Sequence, residues 1–342
     1  MAIVANLVIS TVCNQDCAYC FTVDHFGDDP QPGGSSGKQP AARFLSTDAF
    51  ESRLDFLRRS GLNQVRLLGG EPTLHPRFSE FEELASTRGM TVIVFTNGLV
   101  PESALHCLES LPPDRCTVMV NANQPDGTRS DRVSEYRLDT VRRLGQRALL
   151  GFNIYRTDFE IAFLLSLIAE TGCKSTIRLG MAHPCLSGDN QYIHPNQYRA
   201  IAVKIVRSAR MAADHGVSLD FDCGFVRCMF SEAELDTLQA AGTKVGWQCN
   251  PILDIDINGD MIHCFPLSRL VRLPLQPGSD AMAMRRAFEQ RTAPYRQAGV
   301  FRECSTCQYK LSGECPGGCL ATTVRRFRHT PFALQVPREV ST

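Results

Sequence analysis

Apolar positions along the first two-thirds of the chain fall into two recurring patterns, short continuous runs and longer stretches with one apolar face. The opening run, Ile3 to Ile9, reads as a core strand. Ser46-Thr47-Asp48 can cap a helix whose Phe50, Leu54 and Leu57 share one face, and Gly61 ends it. Val65 to Leu68 is a short strand, a second helix runs to about Arg88, and Thr91 to Phe95 is a third strand. Further strands are expected at Thr117–Val120, Leu149–Ile154 and Ser175–Leu179, with helices near 102–111, 133–146 and 158–171. Six strand–helix pairs in series predict an α/β fold with a parallel sheet and crossover helices. A long amphipathic helix from Pro195 to about His215 and a strand over Val217–Phe221 follow, and the composition changes there. Residues 1–216 are therefore expected to form one domain, 217–325 a second module, and 326–342 a tail. Leu253–Ile257 and Met261–His263 flank Asn258-Gly259, the signal of a two-residue type I′ hairpin turn. Residues 24–43, rich in Gly, Pro and Ser, read as a loop, either a lid or a tolerated surface insertion.

Composition narrows the classes of partner. The 36 Lys+Arg balance 36 Asp+Glu, so no global charge points to nucleic acid or an anionic membrane. No apolar run approaches the roughly 20 residues of a membrane span. The 15 cysteines stand out. An odd count in a chain of this size, with no signal-like leader, suggests a reducing cytoplasm and metal or catalytic thiols over disulfides.

The densest chemistry directly follows the first strand, in Cys13-Asn-Gln-Asp-Cys17-Ala-Tyr-Cys20. Three thiols at these spacings in a short loop can turn toward one centre and suit zinc or an iron–sulfur cluster. Three thiolates on a four-iron cluster leave one iron open, and Tyr19 fits a shield against water. The pattern Cys-x3-Cys-x2-Cys with an aromatic before its last member resembles the signature of the radical S-adenosylmethionine (radical SAM) superfamily. The resemblance implies a partial (β/α)6 barrel holding a [4Fe–4S] cluster whose open iron is chelated by SAM. It also implies one-electron cleavage of SAM to a 5′-deoxyadenosyl radical that abstracts a substrate hydrogen, with a flavodoxin- or ferredoxin-type protein as reductant. The alternatives on the residues alone are a fragment of a zinc site or three unrelated buried thiols.

Gly69-Gly70-Glu71-Pro72 falls after the second strand. Glycines there allow a ligand close to the backbone, and a carboxylate can hold an ammonium. The segment matches the family's GGEP motif, which implies contact with the amino group of SAM. Thr96 and Asn97 resemble a family segment bordering the SAM site. Asn121 and Asn153 are candidate ribose or carboxylate contacts by position. For substrate chemistry the candidates are Asp222, Cys223 as a hydrogen donor if it is not a ligand, and Arg178 as an anion holder.

A second constellation lies downstream. Cys249, nine residues, Gly259, four residues and Cys264 span the expected hairpin, whose ends would bring the two thiols together. Cys304-x2-Cys307-x7-Cys315-x3-Cys319 follows, and by itself would read as a zinc knuckle. Beside the first motif it resembles the SPASM extension of radical SAM enzymes, a small Cys-rich module with auxiliary [4Fe–4S] clusters. The resemblance implies a first auxiliary cluster on Cys249, Cys264 and Cys319, completed by Cys228 or Cys223. A second would rest on Cys304, Cys307 and Cys315 with an open or non-Cys fourth ligand. Seven residues stand where the family has five, and no cysteine follows Cys319. With the motif starting at residue 13 and no leader-gripping domain before it, a small metabolite is expected as substrate. A ribosomally made peptide is the alternative, and a non-catalytic iron–sulfur or zinc scaffold is the rival from another class.

Overall fold

The computed structural model describes residues 5–22, 43–123, 131–186 and 190–327. The expected lid loop falls outside them except for Arg43. Strand β1 (Asn6–Ser10) leads to α1 (Thr47–Arg59), β2 (Gln64–Gly69), α2 (Phe78–Thr87) and β3 (Thr91–Thr96). The alternation continues through α3 (Glu102–Ser110), β4 (Cys116–Asn121), α4 (Asp131–Leu144), β5 (Ala148–Ile154), α5 (Ala162–Thr171) and β6 (Thr176–Met181). Ser46 caps α1 by accepting from the Ala49 amide, and the helix buries Phe50, Leu54 and Leu57. Strands β1 to β6 pair in parallel in sequence order, as the six strand–helix repeats predict.

The pleat sorts side chains into two environments. Val65, Leu67, Val92, Val94, Val118 and Val120 are buried in the main apolar core. Their neighbours Arg66, Ile93, Phe95, Asn121, Asn153 and Arg178 are half-buried and point the opposite way, into the inner face of the sheet. That inner face, at the carboxyl ends of the strands, is where an α/β sheet places ligands.

The sheet does not stop at residue 216. After α6 (Tyr198–Asp214), β7 (Ser218–Phe221) pairs in parallel with β6. After α7 (Glu232–Ala240), β8 (Asp254–Ile255) pairs with β1 at the other edge, and β9 (Asp260–Ile262) and β10 (Arg272–Pro274) extend it, making ten strands among the described residues. The hairpin is present, but its turn is longer than Asn258-Gly259 predicts. Asp254 faces Ile262 and Ile255 faces Met261, and the Asp256 amide donates to the Asp260 carbonyl at 2.8 Å. Ile257, Asn258 and Gly259 therefore form the loop. The cause is the fully buried Asp256 carboxylate, which accepts from the Asn258 and Asp260 amides, both at 2.9 Å, and pairs with Arg272. Buried Arg53 on α1 donates to the Ile257 carbonyl at 2.9 Å, tying the hairpin to the barrel. The chain continues through α8 (Ala281–Ala298), the short α9 (Gln308–Leu311) and α10 (Leu320–Phe327).

Candidate active site

The three-cysteine loop rests directly on the Gly69–Pro72 segment. The Gly70 and Glu71 amides donate to the carbonyls of Ser10 (2.9 Å) and Val12 (2.7 Å). A Cβ on Gly69 would lie 2.1 Å from the Ser10 oxygen, and one on Gly70 would lie 2.5 Å from the Val12 oxygen and 3.0 Å from Cys13 Cβ. The close approach these glycines permit is thus that of the Cys-loop backbone, where the sequence pointed to a ligand. Glu71 also departs from expectation. It is fully buried. One oxygen accepts from the Thr73 amide (3.2 Å) and hydroxyl (2.6 Å), the other from the Asn97 amide (2.8 Å). Burial pushes its carboxyl up, against the pull of these bonds. The carboxylate is turned inward, so what this segment offers a ligand is backbone.

Asn97 acts on the same loop. Its Nδ2 donates to Asn14 Oδ1 at 2.7 Å and reaches Cys13 Sγ at 3.8 Å, while Asn14 Nδ2 donates to the Leu99 carbonyl. Thr96 Oγ1 accepts from the Gly98 amide, fixing the strand end. Cys13 is exposed, and Cys17 and Cys20 are half-buried. Burial, and then the charges of Cys20 and Cys13, push the Cys17 thiol up to about 11. Cys13 is raised chiefly by burial, with Glu71 and Cys20 adding. Three thiols sharing one field in this way suit a cationic centre that would reverse the repulsion.

A polar lane runs from this loop along the inner face. The Tyr19 ring packs on Tyr155 at 4.7 Å, and its hydroxyl accepts from Asn121 at 2.8 Å. Asn153 donates to Asn121 at 3.2 Å. Gly180 leaves the next gap open, since a Cβ there would stand 2.7 Å from Asn153 Oδ1 and 3.9 Å from Asp222 Oδ2. Asp222 pairs with Arg178 at 2.6 Å, and that guanidinium lies 5.7 Å from the Phe95 ring centre. Arg66 shares the neighbourhood: burial and then the charge of Arg178 lower it, while Asp222 and Asp254 hold it charged.

The downstream thiols gather in two sets. Cys249 and Cys319 share a hydrogen bond, which holds Cys319 at about 7, with burial opposing and the Thr322 and Ala321 amides of α10 assisting. The same bond and burial push Cys249 up to about 12. Burial, followed by the charges of Cys319 and Cys249, raises Cys264 well above the usual thiol range. Cys223 is raised by burial, then Asp222, Cys249 and Cys319. Arg296 on α8 holds this set by donating to the carbonyls of Cys249, Pro316 (3.3 Å) and Gly318 (3.2 Å). The second set is Cys304, Cys307 and Cys315, with Cys228 beside them. Among the described residues, no three His, Cys, Asp or Glu side chains converge tightly enough for a single metal ion.

Residues 7–154 match the family model of the radical SAM superfamily. These residues form a radical SAM domain. By sequence the chain is similar to the GTP 3',8-cyclase of Aeromonas hydrophila, 38% identical over 95 residues, or 27% of this chain and 26% of that protein. It is also similar to an S-adenosylmethionine-dependent nucleotide dehydratase of Selenomonas ruminantium, 32% identical over 100 residues, or 29% and 31%. The chain thus matches about a quarter to a third of the length of these curated relatives. The fold is similar across 93% of the chain to that of Streptococcus suis SuiB bound to S-adenosylmethionine, with TM-score 0.64, 15% identity and 73% of that chain covered. It is similar across 97% to anSMEcpe with bound AdoMet, with TM-score 0.63, 15% identity and 93% covered.

Membership of the radical SAM superfamily implies a [4Fe–4S] cluster and SAM, and the residues fit them. Three thiols lie in one field on a loop that leaves Cys13 open to solvent, over a glycine pair that admits no side chain. Sequence reading missed Asn14, Arg66, Arg137 and Arg296. Arg137 is buried and donates to the carbonyls of Asn97 and Asn123, both at 3.0 Å, and its charge favours the Cys17 thiolate. A signal was available, because Arg137 shares the stripe of α4 that buries Thr140, Val141 and Leu144.

Proposed function

We propose that this chain is a radical SAM enzyme that acts on a small charged substrate held on the inner face of its barrel. The observation that carries the reading is the three-thiol loop seated on the backbone of Gly69–Glu71 and fastened by Asn97. When bound, the cluster and SAM supply a 5′-deoxyadenosyl radical that takes a hydrogen atom from substrate, with a flavodoxin- or ferredoxin-type protein as the electron source. Cys13, Cys17 and Cys20 hold the iron, and Tyr19, locked by Asn121 and Tyr155, shields it from water. Asn121 and Asn153 orient groups along the lane. Arg178, paired with Asp222 at 2.6 Å, and Arg66 in the same neighbourhood receive an anionic part of the substrate. The downstream thiols hold auxiliary clusters that pass electrons.

The sequence similarity to relatives named for nucleotide substrates covers under a third of this chain and of each of them, and does not select the substrate. A peptide substrate is the second reading. It is favoured by solved structures of similar fold over nearly the whole chain, SuiB bound to precursor peptide SuiA and anSMEcpe with the Cp18Cys peptide. The test is anaerobic reconstitution, reduction, and assay of 5′-deoxyadenosine by mass spectrometry. The product should appear in the wild type and vanish in Cys20→Ala. Its rate then screens anionic metabolites against peptides. A reconstituted protein that yields none with any candidate would return the chain to the scaffold reading.

A further inference from the structure

By spacing the second downstream set has three thiols, Cys304, Cys307 and Cys315, and a four-iron cluster calls for a fourth ligand. The fold supplies one from the opposite direction. The segment after β7 enters the Cys-rich region with Cys223 and Cys228 five residues apart. Arg227, next to Cys228, lies flat on the Tyr309 ring at 3.8 Å and pairs with Glu314 at 2.8 Å. Both partners belong to the stretch between Cys307 and Cys315. Val226, on the other side of Arg227, packs on Gly318 so closely that a Cβ on that glycine would stand 2.9 Å from its methyl. Glu232 at the start of α7 closes the clamp by accepting from Arg227 at 2.8 and 2.9 Å and from the Tyr309 hydroxyl at 3.4 Å. Cys228 is thereby held against the stretch of chain that carries Cys307 and Cys315. Cys228 itself is exposed, so its thiol is not shut away in the apolar core. Cys223 lies on the side of the other set: the Gly224 amide next to it donates to the carbonyl of Gln248, the neighbour of Cys249, at 3.1 Å.

We propose that Cys228 is the fourth thiolate of the second auxiliary cluster, with Cys304, Cys307 and Cys315, while Cys223 completes the first. The assignment rests on the iron–sulfur part of the proposed function and sharpens it. Both auxiliary clusters are saturated by protein, so neither has an iron free to ligate substrate. Two short segments, Cys223 to Cys228 and Cys315 to Cys319, each give one thiol to each cluster and hold the two at a fixed separation. The thiol count closes as well. Three, four and four of the 15 cysteines are used, and the remaining Cys107, Cys116, Cys173 and Cys185 lie outside the sets.

The experiment uses the full chain with Cys13, Cys17 and Cys20 changed to Ala, reconstituted anaerobically, so that only downstream iron is read. Iron and sulfide should come to about eight each, from two four-iron clusters, with two signals in the electron paramagnetic resonance spectrum of the reduced protein. Adding Cys228→Ala should remove about four irons or convert one signal to a three-iron type. Cys228→Ser, which keeps size and an oxygen donor, should shift that same signal. Cys223→Ala should act on the other signal, and Cys107→Ala should change nothing. Circular dichroism checks that each variant is folded. The assignment is overturned if Cys228→Ala leaves both signals and the iron content intact, if both variants disturb the same signal, or if the sets take up zinc in place of iron. SAM cleavage by the parent chain is scored separately. Its absence would sink the radical SAM reading, whereas an undisturbed second signal with cleavage intact would sink only the ligand assignment.

Discussion

At the scale of single residues, the site depends on what has no side chain as much as on what does. Gly70 lets two backbone segments touch, and a methyl group there meets the Val12 carbonyl 2.5 Å away. Gly70→Ala should cost about 1–3 kcal/mol of stability. It should also release iron from the three-thiol site while leaving the downstream iron in place, which iron analysis and thermal melting would resolve. Glu82 is a different kind of residue. It sits on the apolar stripe of α2, fully buried, and among the described residues neither carboxylate oxygen has a hydrogen-bond partner. Burial pushes it up from 4.5 to about 8. The folded state therefore keeps a proton that the unfolded chain releases, and its stabilising share is whole below about pH 4.5 and is lost as pH rises toward 8. Glu82→Met should be stabilised relative to wild type by an amount that grows from pH 5 to pH 8, reaching a few kcal/mol at about 1.4 kcal/mol per pH unit. Melting curves that stay parallel across that range would refute the assignment of a buried neutral acid.

At the scale of elements, loops carry the chemistry and the strands and helices decide where the loops meet. The turn after β7 needs Gly224, whose φ is +98° and whose missing Cβ would stand 1.8 Å from His183 Nε2. Gly224→Ala should cost about 1–3 kcal/mol in backbone strain alone. Because Cys223 and Cys228 flank this turn, it should lower downstream iron while sparing the three-thiol site. Arg137 is the matching device on α4, donating to two loop carbonyls and supplying charge beside Cys17. Arg137→Met should weaken SAM binding and SAM cleavage together, measured by equilibrium dialysis and by 5′-deoxyadenosine formation, with the helix content unchanged. The alternating strands and helices were legible because each repeats its own period, and Ser46 capped α1 as its side chain predicts. The hairpin turn was misread because Asn-Gly was weighed without Asp256, whose buried carboxylate holds the Asn258 and Asp260 amides and enlarges the loop from two residues to three.

At the scale of the whole molecule, one sheet joins the radical SAM domain to the Cys-rich region at both edges, through β7 on β6 and β8 on β1. Stability is uneven across this frame. Strands β2 to β6 lie in the continuous apolar core. The stretch around Cys304 to Cys319 holds only one-turn helices and loops, tied down by Arg227 on Glu314 and by Arg296 on the Pro316 and Gly318 carbonyls. Removal of iron by an anaerobic chelator should therefore raise hydrogen exchange over residues 249–319 while β2–β6 stay protected. Uniform loss of protection along the chain would contradict it.

The sequence by itself determined the local order. Six strand–helix repeats followed from periodicity, and three thiols at fixed spacing followed from a loop too short to place them anywhere but together. It also marked Gly69–Pro72 as a place of close approach, but assigned that approach to a ligand, whereas the Cys-loop backbone fills it. Tertiary structure decided everything that depends on partners far apart in the chain. It showed that Glu71 faces inward to Thr73 and Asn97, that Arg66 and Arg178 meet across β2 and β6, and that Arg296 grips the Cys249 loop. It also sorted Cys223 and Cys228 into different sets, which spacing could not do. Five residues of chain permit either choice, and only the packing of Arg227 on Tyr309 and of Val226 on Gly318 fixes which thiol goes where.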